Sequence, residues 1–288
     1  MLNLEDTKTV AFLGPRGSFC DMAADKFCEK FNINSYLEPF ETVKEVVDYV
    51  DNNSNSLGVL AVENFVEGTV RETLDSLMET KNPNIKILSE LYMDVNFCLL
   101  SRTTEFYSLT GVISTPEILA KCRNFIKSEM PMNLNIVESA SIPESAVNLQ
   151  NYNLTYSSIG TEKIAEIYNL NILKNNISDI KNNQTRYILF GDFETEETGN
   201  DKTSIAFSAE NKPGALLNIL NIFMNNDINL SYIASHPSKN QFGEYIMTVS
   251  FDGHVHNKKI IRTLGEIREK AQFMRFLGSY RKAKSKVN

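Results

Sequence analysis

Asn183-Gln184-Thr185-Arg186-Tyr187-Ile188-Leu189-Phe190-Gly191 passes from a polar segment straight into an apolar, β-branched and aromatic run. That change predicts a loop feeding a buried strand, with a hydroxyl and a guanidinium at its entrance. The residues before it alternate strand and helix patterns, as in an α/β body able to build a cleft around those two side chains. The residues after it carry a separate, smaller set of elements.

Upstream, Thr9 to Leu13 reads as a short buried strand and Gly14-Pro15-Arg16-Gly17-Ser18 as the turn leaving it. Phe19, Ala23, Phe27 and Phe31 then mark one face of a helix, with Ser18 and Asp21 spaced as an N-cap signal. A glycine turn meeting a helix N-terminus offers free N–H groups and a favourable dipole, an anion-binding corner. It lacks the Lys-Ser/Thr of a phosphate loop, so a nucleotide is not implied. Thr42 with Glu45 opens the next helix, and Leu57 to Val62 the next strand, with Glu63 and Asn64 at its end. Thr69 with Glu72 predicts a further capping box.

From Lys86 to Leu100 the pattern is extended and carries the chain toward a second lobe. Strands follow at Val112-Ile113, Leu134 to Val137 and Leu154 to Tyr156. Helices open at Ser114-Thr115-Pro116-Glu117, with Leu119, Cys122, Phe125 and Ile126 inward, and near Ser141 and Thr161. The asparagine-rich segment from Lys174 to Gln184 reads as the crossing back. Asp192 to Asp201 is acidic and nearly free of apolar residues, the signature of a linker. Beyond it the order strand, helix, strand, strand, helix, strand is a ferredoxin-like βαββαβ arrangement.

With 288 residues, 42% of them hydrophobic, the chain can bury a sizeable core. Its 29 basic against 36 acidic residues, a net charge of −7, argue against nucleic acid or an anionic membrane as partner. The basic tail from Arg281 to Lys286 is too short to reverse that. Met1 to Asp6 lack the basic and apolar regions of a signal peptide, and no apolar run approaches the ~20 residues that span a bilayer. Cys20, Cys28, Cys98 and Cys122 have no ligand spacing and read as reduced, mostly buried thiols of a cytoplasmic protein. His236, His254 and His256 are the three histidines, so chemistry in the first two thirds proceeds without imidazole. Asp252-Gly253-His254-Val255-His256 reads as a strand end with solvent-facing histidines rather than a metal site.

Several stretches together resemble prephenate dehydratases. Phe12-Leu13-Gly14-Pro15-Arg16-Gly17-Ser18-Phe19 is similar to that family's opening motif, and Ala61-Val62-Glu63-Asn64-Phe65-Val66-Glu67-Gly68 with Thr73-Leu74-Asp75 to its second. Asn183-Gln184-Thr185-Arg186-Tyr187 resembles its Asn-x-Thr-Arg-Phe hallmark, with Tyr187 where Phe is common. Pro213-Gly214-Ala215-Leu216-Leu217 and Ile228-Asn229-Leu230 resemble an ACT regulatory domain. The resemblance implies a two-lobed catalytic domain like periplasmic binding proteins over residues 1–193, with lobe 1 at about 1–97 and 181–193 and lobe 2 at about 98–180. A linker at 194–201, an ACT domain at 202–280 and a basic tail at 281–288 would follow.

The implied reaction is the decarboxylative dehydration of prephenate to phenylpyruvate in phenylalanine biosynthesis, without cofactor or metal. Thr185 would donate a hydrogen bond to the leaving hydroxyl, Arg186 would clamp a carboxylate and Glu63 would relay a proton. Asn64, Ser114, Thr115, Glu117, Tyr187, Gly17 and Ser18 would contact substrate. L-Phenylalanine would bind as effector at Gly214, Ala215, Leu216, Leu217, Asn229 and Leu230, together with Ala234, Ser235, His236 and Pro237. A homodimer or homotetramer is implied. Phe65, Glu117, Ala234 and His236 depart from the family's pattern. Glu117 beside a dianion must either turn to a cation at the rim or signal a different ligand. Alternatives are therefore a prephenate decarboxylase that does not aromatise the ring, and a non-catalytic small-acid sensor.

Overall fold

Alternating apolar strands and capped helices fold into three sheets in the computed structural model, which describes residues 4–238 and 244–284. Met1 to Asn3 and the end of the basic tail lie outside the described residues. The chain runs β1 (Thr9–Leu13), α1 (Phe19–Phe31), β2 (Tyr36–Phe40), α2 (Val43–Asn52), β3 (Ser56–Asn64), β4 (Gly68–Thr69), α3 (Arg71–Met78) and β5 (Lys86–Asp94). It continues through β6 (Cys98–Ser101), β7 (Gly111–Ser114), α4 (Pro116–Lys121), α5 (Arg123–Ser128), β8 (Asn135–Glu138), α6 (Ile142–Asn148), β9 (Tyr156–Gly160), α7 (Glu162–Ile167) and β10 (Asn171–Lys174). β11 (Gln184–Gly191), β12 (Asp201–Ser208), α8 (Ala215–Asn225), β13 (Leu230–Pro237), β14 (Tyr245–Asp252), α9 (Lys258–Lys270) and β15 (Phe273–Arg281) complete it.

The first sheet has the order β2-β1-β3-β11-β5, with β4 on β3. β1 is parallel to β2 and β3, whereas the returning β11 is antiparallel to β3 and β5. Every residue of β11 is buried, because helices or another sheet cover both faces. α1 packs on one face with Val10, Phe12, Tyr187 and Leu189. α2 and α3 pack on the other with Leu60, Val62, Ile188 and Phe190. The second sheet, β10-β6-β9-β7-β8, forms the second lobe. β5 leads into it, and the segment before β11 returns from it.

Local signals explain most element starts. Ser18 accepts from the Asp21 N–H at 3.2 Å, and Thr42 with Glu45 makes the full capping box. The box expected at Thr69 and Glu72 does not form, because Gly68 and Thr69 pair with β3 as β4 and leave Val70 as the uncapped start of α3. The helix expected after Pro116 breaks at Cys122 into α4 and α5. The strand expected at Leu154 begins at Tyr156, since Asn153 turns the chain by accepting from the Thr155 N–H at 3.1 Å. β2 and β10 were not anticipated. Both are edge strands, and β2 accommodates Pro39 for that reason.

The third sheet, β13-β14-β12-β15, is antiparallel. α8 and α9 cover one face around Phe207, Phe223, Val249 and Phe251. Its other face shares a core with the first lobe, where Ala206, Leu277 and Tyr280 meet Ile87 and Phe190. At Gly278, φ is +142°, and an added Cβ would lie 2.3 Å from the Ile87 carbonyl oxygen. The third sheet is therefore docked, not loosely tethered. The acidic segment before it is pinned as well, Thr195 donating to the Ser279 carbonyl at 2.6 Å and Glu194 pairing with Lys86 at 2.6 Å. His254, expected at the solvent, is buried beside Thr195. No helix among the described residues is long and apolar enough to cross a membrane.

Candidate active site

Because side chains alternate along a strand, Thr185 and Arg186 at the entrance of β11 leave on opposite faces. Thr185 lies opposite Asn64 in the ladder with β3, and both are buried. The Asn64 side-chain oxygen accepts from the Val66 and Glu67 N–H groups, each at 2.9 Å, which fixes the orientation of its amide. Its Nδ2 therefore donates to Thr185 Oγ1 at 2.8 Å. Accepting from Asn64 leaves the threonine hydroxyl its own proton to give. Tyr187, two residues on and on the same side, is buried against Cys20. Burial pushes its phenol well above the usual value, Cys20 adds to that, and a hydrogen bond with Thr185 opposes it.

Arg186 leaves the strand on the side opposite Thr185. Its guanidinium is buried on the side of the third sheet, with Nη1 3.5 Å from Glu90 Oε2 and Nε 3.6 Å from Glu63 Oε2. The ring of Tyr232, on β13, lies 5.1 Å from the guanidinium carbon. Burial alone lowers the pKa of Arg186, but Tyr280, Glu90, Tyr92 and Glu63 together raise it above the ordinary value. The three residues expected to act together are thus divided: Thr185 joins Asn64, and Glu63 joins Arg186. Phe65 goes with the second group, lining a cavity of about 470 Å³ with Glu63, Tyr92, Arg186 and Lys202.

The glycine corner holds a carboxylate of its own. Gly17 N–H donates to Asp21 Oδ2 at 2.7 Å, and Ser18 donates to the Leu13 carbonyl at 3.1 Å. Burial pushes the Asp21 carboxyl up, partly offset by that bond from Gly17. Gly17 is also where the lobes touch: its carbonyl accepts from Thr161 Oγ1 at 2.8 Å, and a Cβ there would lie 2.3 Å from the end of Ile164. Across the cleft, Ser114 donates to the Ile159 carbonyl at 3.1 Å and Thr115 caps α4. Glu117 turns to the rim, where Lys121 binds it and Glu67 of the first lobe, each at 2.6 Å. Lys163 to Asp25, at 2.9 Å, ties the lobes on another side.

The expected effector residues are also separated. Gly214, with φ +83°, starts α8, and Ala215, Leu216 and Leu217 form its first turn on one face of the third sheet. His236 points through the other face, its Nε2 2.9 Å from Asp75 Oδ1 on α3. Ala234 shares the side of His236 by alternation, whereas Ser235 and Pro237 are exposed. Asn229 lines the cavity beside Arg186, and Leu230 packs toward the helices.

Sequence reasoning missed Glu90, Lys202 and Tyr92. Glu90 is wholly buried, and Lys202 Nζ reaches both of its oxygens, at 2.9 and 3.0 Å. Its signal was available, a charge inside the apolar run Ile87-Leu88-Ser89-Glu90-Leu91, where burial demands a partner.

The chain matches the family model for prephenate dehydratase over residues 10–195 and that for the ACT domain over residues 203–269. A protein named prephenate dehydratase from Methanocaldococcus jannaschii is 36% identical over 95% of this chain and 98% of its own length. A bifunctional chorismate mutase/prephenate dehydratase from Aquifex aeolicus is 34% identical over 98% of this chain and 76% of its own. Among solved structures, the prephenate dehydratase of Arthrobacter aurescens in complex with L-Phe superposes with a TM-score of 0.80 at 29% identity, over 95% of this chain and 90% of that one. With the strand order, the Asn64–Thr185 pair and these matches in agreement, the chain belongs to the prephenate dehydratase family, an ACT domain following its dehydratase region.

Proposed function

We infer that the protein is a prephenate dehydratase, converting prephenate to phenylpyruvate for phenylalanine biosynthesis. The observation that carries the chemistry is the Asn64–Thr185 hydrogen bond at the entrance of β11, in which the buried threonine accepts and so keeps a proton to give, to Tyr187 or to substrate. In the reaction the bond to the ring carboxylate breaks and carbon dioxide leaves. Its electron pair enters the ring as the C–O bond breaks, so hydroxide departs and the ring becomes aromatic. Thr185 stabilises the developing hydroxide by hydrogen bonding. A threonine hydroxyl is too weak an acid to surrender its proton outright, so water completes the transfer. A site closed from solvent favours loss of the poorly hydrated ring carboxylate. Arg186 and Glu63 hold each other behind the strand and act on Thr185 through the backbone.

Two placements support this reading at the positions that depart from the family's pattern. Glu117 is held by Lys121, and Phe65 faces the cavity beside the ACT domain. The cytoplasmic location rests on the acidic balance and free cysteines. Phenylalanine as effector rests on the ACT domain and on the L-Phe held by the Arthrobacter relative. The separation of Gly214 and His236 within one chain points to a site completed by a second copy, in keeping with a homo-oligomer. The division into a catalytic region at 1–193 and an ACT region from 202 belongs to the same proposal.

Incubating the purified chain with prephenate near neutral pH tests this reading. Phenylpyruvate is the expected product, and a non-aromatic keto acid or unchanged prephenate would overturn it. Removal of the rim bridge by Lys121→Ala is expected to raise KM about two- to fivefold at low salt with kcat little changed, as for a pair worth up to ~1 kcal/mol. High salt should erase the difference from wild type.

A further inference from the structure

We propose that Lys202 and Glu90 are positioning residues for this reaction, transmitting the placement of the ACT domain to the entrance of β11. The proposal rests on the dehydratase reading above. Glu90, on β5, has no exposed surface and lies between a cation from each domain. Its oxygens are 2.9 and 3.0 Å from Lys202 Nζ on β12 and 3.5 Å from Arg186 Nη1 on β11. The Ala283 N–H, just beyond β15, donates to the same carboxylate at 3.2 Å. A further ACT side chain, Tyr232, stacks on the guanidinium and hydrogen-bonds Thr69 of the first lobe at 2.8 Å. The surroundings of Arg186 are thus built in good part by the ACT domain.

Arg186 is joined to Thr185 by one peptide bond, and the ladder between β11 and β3 shifts register between Arg186 and Tyr187. Such an irregularity re-aims side chains at this point of the β3 ladder, while the pairing with β5, which carries Glu90, runs unbroken from Gln184 to Leu189. The angle at which Thr185 meets Asn64 then depends on the side-chain anchors of Arg186. Lys202 draws Glu90 toward the ACT domain, and this leaves the guanidinium between Glu90 and Glu63 rather than fully on one of them. When the ACT domain shifts and Lys202 withdraws, Arg186 is the cation left in an ion pair with Glu90, beside the field of Lys30. A buried carboxylate demands that pairing. The guanidinium follows it away from Glu63, and Thr185 is displaced.

Full-length wild type, Lys202→Met, Lys202→Arg and the double variant Glu90→Gln/Lys202→Met are compared for kcat, KM and melting temperature. Lys202→Met is expected to lower kcat about tenfold with KM within about twofold, as for a slight misplacement of a reacting group. Lys202→Arg should recover most of kcat. The double variant removes Glu90 and Lys202 as charges and leaves the buried guanidinium to settle wholly on Glu63, so it should fold and still show the low kcat. If it regains wild-type kcat, the charges serve folding alone and the proposal fails. Wild-type kcat in folded Lys202→Met overturns it equally, and if that single variant does not fold, the double variant decides. A wild-type chain without turnover would instead sink the dehydratase reading, and this inference with it.

Discussion

Thr185→Ala is expected to lower kcat for prephenate by about 10²- to 10³-fold, the loss usual for one hydrogen-bond donor at a developing oxyanion, while KM changes little. The split follows from where the hydroxyl acts. The leaving oxygen gains charge only as its bond to the ring breaks, so the donor stabilises the transition state more than bound substrate. The substitution also leaves Asn64 Nδ2 without its 2.8 Å acceptor at a buried position, at a cost of about 1–3 kcal/mol. The melting temperature should therefore fall along with kcat, and activity must be measured where the variant remains folded. Thr185→Ser separates the two effects. It keeps the hydroxyl and the bond from Asn64, and it is expected to retain kcat within about tenfold. Steady-state kinetics on the three proteins check this. An alanine variant with kcat near wild type would remove Thr185 from the chemistry.

Much of this arrangement could be read from the residues. The polar-to-apolar step at Asn183 to Gly191 located a wholly buried strand, and the motif around Asn64 located the partner of Thr185. Alternation along β11 was legible too: neighbours on a strand cannot face one cleft together, so Arg186 could have been excluded from the side of Thr185. What the chain order does not display is which element covers the other face. Glu90 and Lys202 are 112 residues apart, and they meet because the third sheet docks on the first lobe. The same docking buries His236 against α3, a contact that an isolated ACT pattern does not foresee. Short edge strands escaped for a different reason. β2 and β10 bury little apolar surface, so hydrophobic periodicity barely marks them.

Gly278→Ala is expected to destabilise the chain by about 3 kcal/mol or more, among the largest single-residue effects available, through one backbone contact. The added Cβ would lie 2.3 Å from the carbonyl oxygen of Ile87 and 2.8 Å from its amide nitrogen. No rotamer can relieve this, since both offended atoms are backbone and Ile87 is fixed in the ladder between β5 and β11. The φ of +142° adds strain for any residue with a side chain. Two responses are open to the variant. It can unfold at lower denaturant, or the ACT sheet can lift from the first lobe, withdrawing Lys202 from Glu90 and Tyr232 from Arg186. The second response should lower kcat even in folded protein and expose the segment Asp192 to Asn200 to protease. Gly265→Ala is the control, because that glycine lies within α9 with open space where its Cβ would go, and alanine there should stabilise by up to ~1 kcal/mol. Denaturant unfolding and limited proteolysis of both variants decide the matter. A Gly278→Ala chain that melts with wild type and resists cleavage would mean that the two backbones do not approach this closely, and the route from Lys202 to Thr185 would lose its physical basis.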